Sequence, residues 1–145
     1  MKISLVKNHI VTAIVALYSA MFIYAATTKL LDYQNFVSQL SQSPIIGAYA
    51  LPASILIPVL EIVISLMLFH PTTRFVAFFA AFHLMSMFTA YIYIILNFSD
   101  FIPCSCGGVL EKMTWTQHIF FNLAFVALAI VGIFLTKTDN YLNNL

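Results

Sequence analysis

Four long apolar stretches set the pattern of this chain. They run from about His9 to Leu31, from a start between Ile45 and Pro52 to Phe69, from Thr73 to Phe98, and from Trp115 to Leu135. Each is near the ~20 residues that a helix needs to cross ~30 Å of hydrocarbon. Lipid offers the backbone no hydrogen bonds, so these stretches are expected to be helices rather than isolated strands. The first one follows Lys2 and Lys7 in the manner of a signal peptide. Its apolar core, from Ile10 to about Ala26, exceeds the roughly 7–15 residues usual for such a region, which predicts a retained span.

The polar interruptions carry their own signals. Between Asp32 and Gln42, Tyr33, Phe36, Val37 and Leu40 fall at near-helical spacing, which predicts a short helix on the membrane surface. Ser43-Pro44 reads as a cap followed by a first-turn proline, but Pro52 and Pro58 each remove a further intrahelical donor. Either the second helix is kinked, or residues 44–51 form a separate segment at the interface. His70-Pro71-Thr72-Thr73 is a short link that makes the second and third helices antiparallel neighbours. Thr114-Trp115-Thr116-Gln117 has the form of a capping box, with Thr114 as cap and Gln117 reaching back. The tail from Lys137 to Leu145 is polar and is expected to fray. The expected fold is all-α: one integral membrane domain over residues 1–145, a four-helix transmembrane bundle. A short interfacial segment follows helix one, and a Cys-x-Cys loop joins helices three and four.

Composition supports lipid as the solvent. Hydrophobic residues make up 62% and charged residues 8% of the 145, where a soluble domain carries roughly a quarter charged. The net charge of +1 and the lack of a basic cluster exclude nucleic acid as a partner. With four spans, both termini share one side with Lys2, Lys7, Arg74 and Lys137, against Lys29 and Lys112 on the other. That excess predicts cytoplasmic termini and an extracytoplasmic 100–113 loop, which in a bacterial inner membrane faces an oxidising periplasm.

Both cysteines lie in that loop, in Pro103-Cys104-Ser105-Cys106-Gly107-Gly108. Pro103 fixes the approach, while Gly107 and Gly108 permit backbone angles that other residues resist. A bond between residues two apart is strained, and strained, exposed disulfides are the exchangeable kind. N–H groups around the glycines and the nearby start of helix four would stabilise a Cys106 thiolate. Free thiols or a local staple are the structural alternative, although so small a loop constrains the unfolded chain little. A third reading is a soft metal site of two thiolates and His118.

Ionisable groups inside a membrane are costly and mark functional positions. Glu61 and His83 both fall near the bilayer midplane: either they pair, His83 donating to Glu61 in a proton path or a ligand pocket, or each is a packing group satisfied by a neighbouring hydroxyl or a backbone carbonyl. On helix four, Trp115, His118 and Asn122 share one face at i, i+3 and i+7. His118 would take a proton from a thiol or face a quinone carbonyl. Trp115 also suits an interfacial anchor, and Lys29, with Asp32 near the same surface, also suits a snorkelling lysine. Tyr91 and Tyr93 fit an aromatic belt, or else a flat aromatic site.

Lys29-Leu30 with Asp32 and Phe36, then Leu51-Pro52, Glu61 and the Cys104-Ser105-Cys106-Gly107 loop before a last helix, resemble the MauE/DoxX-type redox-associated membrane proteins. The resemblance spans about Ile14 to Ile133; many such proteins read Cys-Gly-Cys-Phe-Gly where this chain has Ser105 and Gly108. It implies a four-helix bundle connected to periplasmic disulfide handling. For MauE itself that means maturation of a disulfide-rich methylamine dehydrogenase subunit beside a thioredoxin-like partner. The architecture is also similar to membrane oxidoreductases that pass electrons through two cysteine pairs to a quinone; this chain has one pair, so a second must come from another protein.

The expected function is thiol–disulfide exchange. A thioredoxin-like extracytoplasmic protein attacks the Cys104–Cys106 bond, and electrons pass, in either direction, between it and a quinone or a second thiol protein, with His118 managing protons. The alternatives are a non-enzymatic subunit that anchors or assembles a larger membrane complex, and a Cys/His metal-binding membrane protein.

Overall fold

The computed structural model describes residues 2–99 and 113–143, with side chains from 5 to 99 and from 113 to 137. Among these residues there are five α-helices, one short 3-10 turn and no strand. The helices are α1 (Lys2–Leu31), α2 (Tyr33–Ser41), α3 (Ala50–Phe69), α4 (Arg74–Phe98) and α5 (Trp115–Asn143). Four of them contain segments long and apolar enough to cross a bilayer: Leu5–Leu31, Gly47–Phe69 with its leading turn, Arg74–Phe98 and Trp115–Lys137. The chain is a multi-pass membrane protein.

The two outermost helices overrun the apolar stretches. α1 starts at Lys2 and α5 continues to Asn143, through the tail expected to fray. Neither extension contains a glycine or proline, so nothing in the local sequence stops the helix where it leaves hydrocarbon.

The proline question around the second span is also resolved. Residues 44–46 make a turn, Gly47–Tyr49 form the 3-10 turn, and α3 follows directly. Ser43 organises this entry: its Oγ accepts from the Ile45 and Ile46 amides at 3.3 and 3.4 Å and from the Tyr91 hydroxyl at 2.9 Å. Ser43 therefore caps a turn rather than α3 itself. Gly47 is needed there, because a Cβ would lie 2.7 Å from the Ser41 carbonyl oxygen. Pro52 falls in the first turn of α3, where its missing donor costs nothing; Pro58 lies buried inside the helix.

Thr114 and Gln117 form the expected capping box. The Thr114 amide donates to Gln117 Oε1 at 2.9 Å, and the Gln117 amide donates to Thr114 Oγ1 at 3.3 Å. At the opposite end, Thr73 Oγ1 and Arg74 Nε donate to the Met67 and Leu68 carbonyls, 2.8 and 3.0 Å away, and so satisfy the C-terminus of α3.

α1, α3, α4 and α5 close a bundle around Tyr18, Phe22, Leu68, Phe78, Ala81 and Ala129. Tyr18 meets Phe125 edge-on, with centroids 5.0 Å apart, and its hydroxyl donates to the Phe125 carbonyl. Gly132 of α5 admits the Phe78 ring, which would stand 2.7 Å from a Cβ placed there. Small residues at such contacts let membrane helices approach closely. The outward faces are equally apolar: Leu56, Val63, Leu66, Phe79 and Phe134 are all exposed, as lipid allows. α2 presents Phe36 and Leu40 to Ala50, with Ile46, Ala53 and Ile57 around them, and so roofs the N-terminal half of α3.

Candidate functional site

Antiparallel order puts the end of α1, the beginning of α3, the end of α4 and the beginning of α5 at one end of the bundle. Beneath α2 at this end lies a cavity of roughly 320 Å³ with an almost wholly apolar wall. Phe22, Phe36, Leu40, Ile57, Phe88 and Phe121 make much of that wall, and the polar groups are few. Such a chamber, apolar with a small number of fixed polar groups, is the usual form of a small-molecule site.

An ion pair anchors the polar side. Lys29 reaches inward from the last turn of α1 and donates to Glu61 Oε1 at 2.6 Å. Their side chains are 13% and 1% exposed, so both charges are withdrawn from solvent. The Lys29 ammonium also lies 6.0 and 5.9 Å from the Phe36 and Phe88 ring centroids, whose faces favour a cation. Glu61 Oε2 has no hydrogen-bond partner among the described residues. Buried polar atoms are nearly always paired, so an orphaned carboxylate oxygen facing a cavity is a functional signal.

α5 supplies the facing wall. Trp115, His118 and Asn122 all line the cavity, and the rings of Trp115 and His118 stack at 6.3 Å with 12° between their planes. His118 sits in the first turn, its amide donating to the Thr114 carbonyl at 2.9 Å. Its Nδ1 is buried and, among the described residues, unpartnered. Asn122 is 3% exposed.

Five of the residues singled out from sequence therefore meet: Lys29, Glu61, Trp115, His118 and Asn122. His83 does not. It is exposed on α4, its Nδ1 lies 2.8 Å from the Phe79 carbonyl oxygen, and its ring packs on Phe79 and Phe82. Glu61 pairs with Lys29, so of the two readings for His83 the local one holds, on a backbone carbonyl, and no Glu61–His83 contact is formed. Pro103, Cys104, Cys106, Gly107 and Gly108 lie outside the described residues. The flanks of their segment, Ser99 and Met113, follow α4 and precede α5 at the cavity end.

Sequence reasoning missed the contribution of α2, and left Tyr91 between an aromatic belt and a flat aromatic site. Phe36, Gln39 and Leu40 roof the cavity, and Tyr91 lines it while bonded to Ser43. The amphipathic spacing of α2 was the available signal; it marks an apolar face without saying whether lipid or protein covers it. Tyr93, by contrast, is exposed as a belt residue would be.

No group of three or more metal-ligating side chains occurs among the described residues. No curated protein and no solved structure matches the chain. A family model does, that of methylamine utilisation protein MauE, over residues 7–135. That match covers the second and third spans whole, all but two residues of the first and of the last, and the cysteine motif, and the chain belongs to the MauE family.

Proposed function

We propose that this chain is a membrane thiol–disulfide exchange protein of the bacterial inner membrane, with cytoplasmic termini and a periplasmic Cys104-Ser105-Cys106 loop. A thiolate of a thioredoxin-like partner attacks one sulfur of the Cys104–Cys106 disulfide and releases the other as a thiolate. The partner's second thiolate then attacks its own sulfur in the mixed disulfide. The partner leaves oxidised, and Cys104 and Cys106 remain as thiols. Two electrons and two protons pass from them to a quinone, or to the disulfide of a second thiol protein, which restores the starting bond. His118 receives a proton during this second stage.

The observation that supports this reading is the cavity at the end of the bundle where the chain enters and leaves the cysteine motif. An imidazole, an ion pair and an apolar chamber lie at the end of the bundle where α4 stops and α5 starts, the two helices that bracket the only two cysteines in the sequence. The family's description names methylamine utilisation.

The test uses right-side-out inner-membrane vesicles and an added reduced thioredoxin-fold dithiol protein. Vesicles with the wild-type chain oxidise the dithiol, and vesicles with C104S/C106S do not. Equal oxidation by both would refute exchange and favour a non-enzymatic assembly subunit.

A further inference from the structure

The polar groups of the cavity have an asymmetry that specifies a ligand. Glu61 Oε1 is taken by Lys29, while Oε2 is buried and unpartnered among the described residues. In this ion pair the remaining carboxylate oxygen only accepts hydrogen bonds, so it calls for a donor. The other buried unpartnered groups facing the chamber are adaptable. His118 Nδ1 accepts or donates according to tautomer, and the Gln39 amide does either according to its rotation.

The cavity also has a direction of entry. Leu56 and Met87 line it, yet are 56% and 53% exposed. They lie within the apolar spans of α3 and α4, so the chamber reaches the lipid-facing flank between these helices. A ligand entering there is dissolved in the bilayer. The volume of roughly 320 Å³ is at the small end of the ~300–1,000 Å³ range of small-molecule sites, enough for a ring system whose tail stays in lipid. The lining rings of Trp115, Phe88 and Phe121 suit a flat aromatic head.

From these features we propose that the cavity is a binding site for a membrane-soluble quinone couple, and that it holds the quinol more tightly than the quinone. A quinol brings two hydroxyl donors, one for Glu61 Oε2 and one for His118 Nδ1 or Gln39 Oε1. A quinone brings only acceptors and leaves Glu61 Oε2 unsatisfied. A phospholipid acyl chain would leave it unsatisfied too, and the Lys29 charge that a phosphate would need is already neutralised by Glu61.

The role of the site rests on the exchange reading above. In that role, the two thiols of Cys104 and Cys106 and one quinone give one disulfide and one quinol, with two electrons and two protons transferred. Tighter binding of the quinol pulls this reaction forward. A tenfold preference raises the potential of the bound two-electron couple by about 30 mV. The preference therefore favours electron flow from thiol to quinone.

Trp115 is the only tryptophan of the chain and lines the cavity, so its fluorescence reports occupancy. The experiment uses C104S/C106S protein in phosphatidylcholine nanodiscs under anaerobic conditions. The probes are a benzoquinol with one isoprene unit, the matching quinone and the quinol dimethyl ether. The expected result is saturable quenching, with the quinol at least about tenfold tighter than the other two, the scale of one hydrogen bond to a charged group. Glu61→Gln puts an NH₂ donor in the cavity and should erase or invert that preference. Ala53→Phe, which leaves the ion pair intact, should fill the chamber and weaken every probe. Unsaturable quenching, equal affinity for the quinol and its dimethyl ether, unchanged binding in Ala53→Phe, or a phospholipid retained in native mass spectra would overturn the proposal. Because these sulfurs are absent, the binding result is independent of thiol exchange. Dithiol oxidation without quinol binding sinks the site alone, and quinol binding without dithiol oxidation sinks the exchange reading alone.

Discussion

Replacing Lys29 by methionine removes the cation from a carboxylate that is 1% exposed, and this substitution tests the buried ion pair most sharply. At the 2.6 Å separation, Coulomb attraction at an effective dielectric near 20 is about 6 kcal/mol. Withdrawing both charges from water offsets much of that gain, so the intact pair contributes little net stability. Removing one partner forfeits the attraction and keeps the desolvation cost of the other, which typically destabilises by about 3–5 kcal/mol. Neither side chain is exposed enough for solvent to screen this effect. Lys29→Met should therefore cost about 3–5 kcal/mol, and Glu61→Met a similar amount. The double variant should recover most of the loss, since apolar groups of similar volume suit this wall. Unfolding of the four proteins by sodium dodecyl sulfate in mixed micelles gives the complete double-mutant cycle. A Lys29→Met cost below about 1 kcal/mol, or a double variant as damaged as the sum of the singles, would refute the reasoning.

Other expectations follow from particular contacts. Gly132→Ala brings a Cβ within 2.7 Å of the Phe78 ring and should destabilise the α4–α5 packing by about 1–3 kcal/mol in the same unfolding assay; an unchanged midpoint would contradict the close approach. Thr114→Ala removes the oxygen that caps the Gln117 amide, so hydrogen exchange at Gln117 should accelerate and α5 should lose about 0.5–2 kcal/mol; native exchange rates would rule the cap out. His118→Ala should slow dithiol oxidation in vesicles by about 10²–10⁴-fold, the usual worth of a positioned acid–base group, and wild-type rates would remove His118 from the proton path.

The spans were legible because each runs near the length that hydrocarbon requires, and the capping box was legible because both partners sit three residues apart in one turn. Helix ends were less so. Lys2–Asn8 and Lys137–Asn143 leave the apolar pattern without any residue that breaks a helix, and the helices simply continue. The partner of Glu61 was harder still. In a soluble helix the apolar stripe identifies the inner face, but here exposed Val63 and Leu66 are as apolar as buried Ile64 and Leu68. The rotation of α3 and α4 about their axes is then not written in hydrophobicity, and His83 could not be told from Lys29 as the group facing Glu61. The face of α5 was readable because three polar or amphipathic residues, Trp115, His118 and Asn122, mark it against an apolar background. For α2, the apolar side was visible, but not that α3 covers it.

The central claim is that Cys104 and Cys106 are an exchangeable pair open to the extracytoplasmic side. With two cysteines in the chain, alkylation counts them directly. Sealed, right-side-out spheroplasts are treated with a membrane-impermeant maleimide before and after mild reductant, and the purified protein is weighed by mass spectrometry. The account predicts no adduct before reduction and two after it. Adducts formed only after the membrane is opened, or none even in reductant, would contradict it.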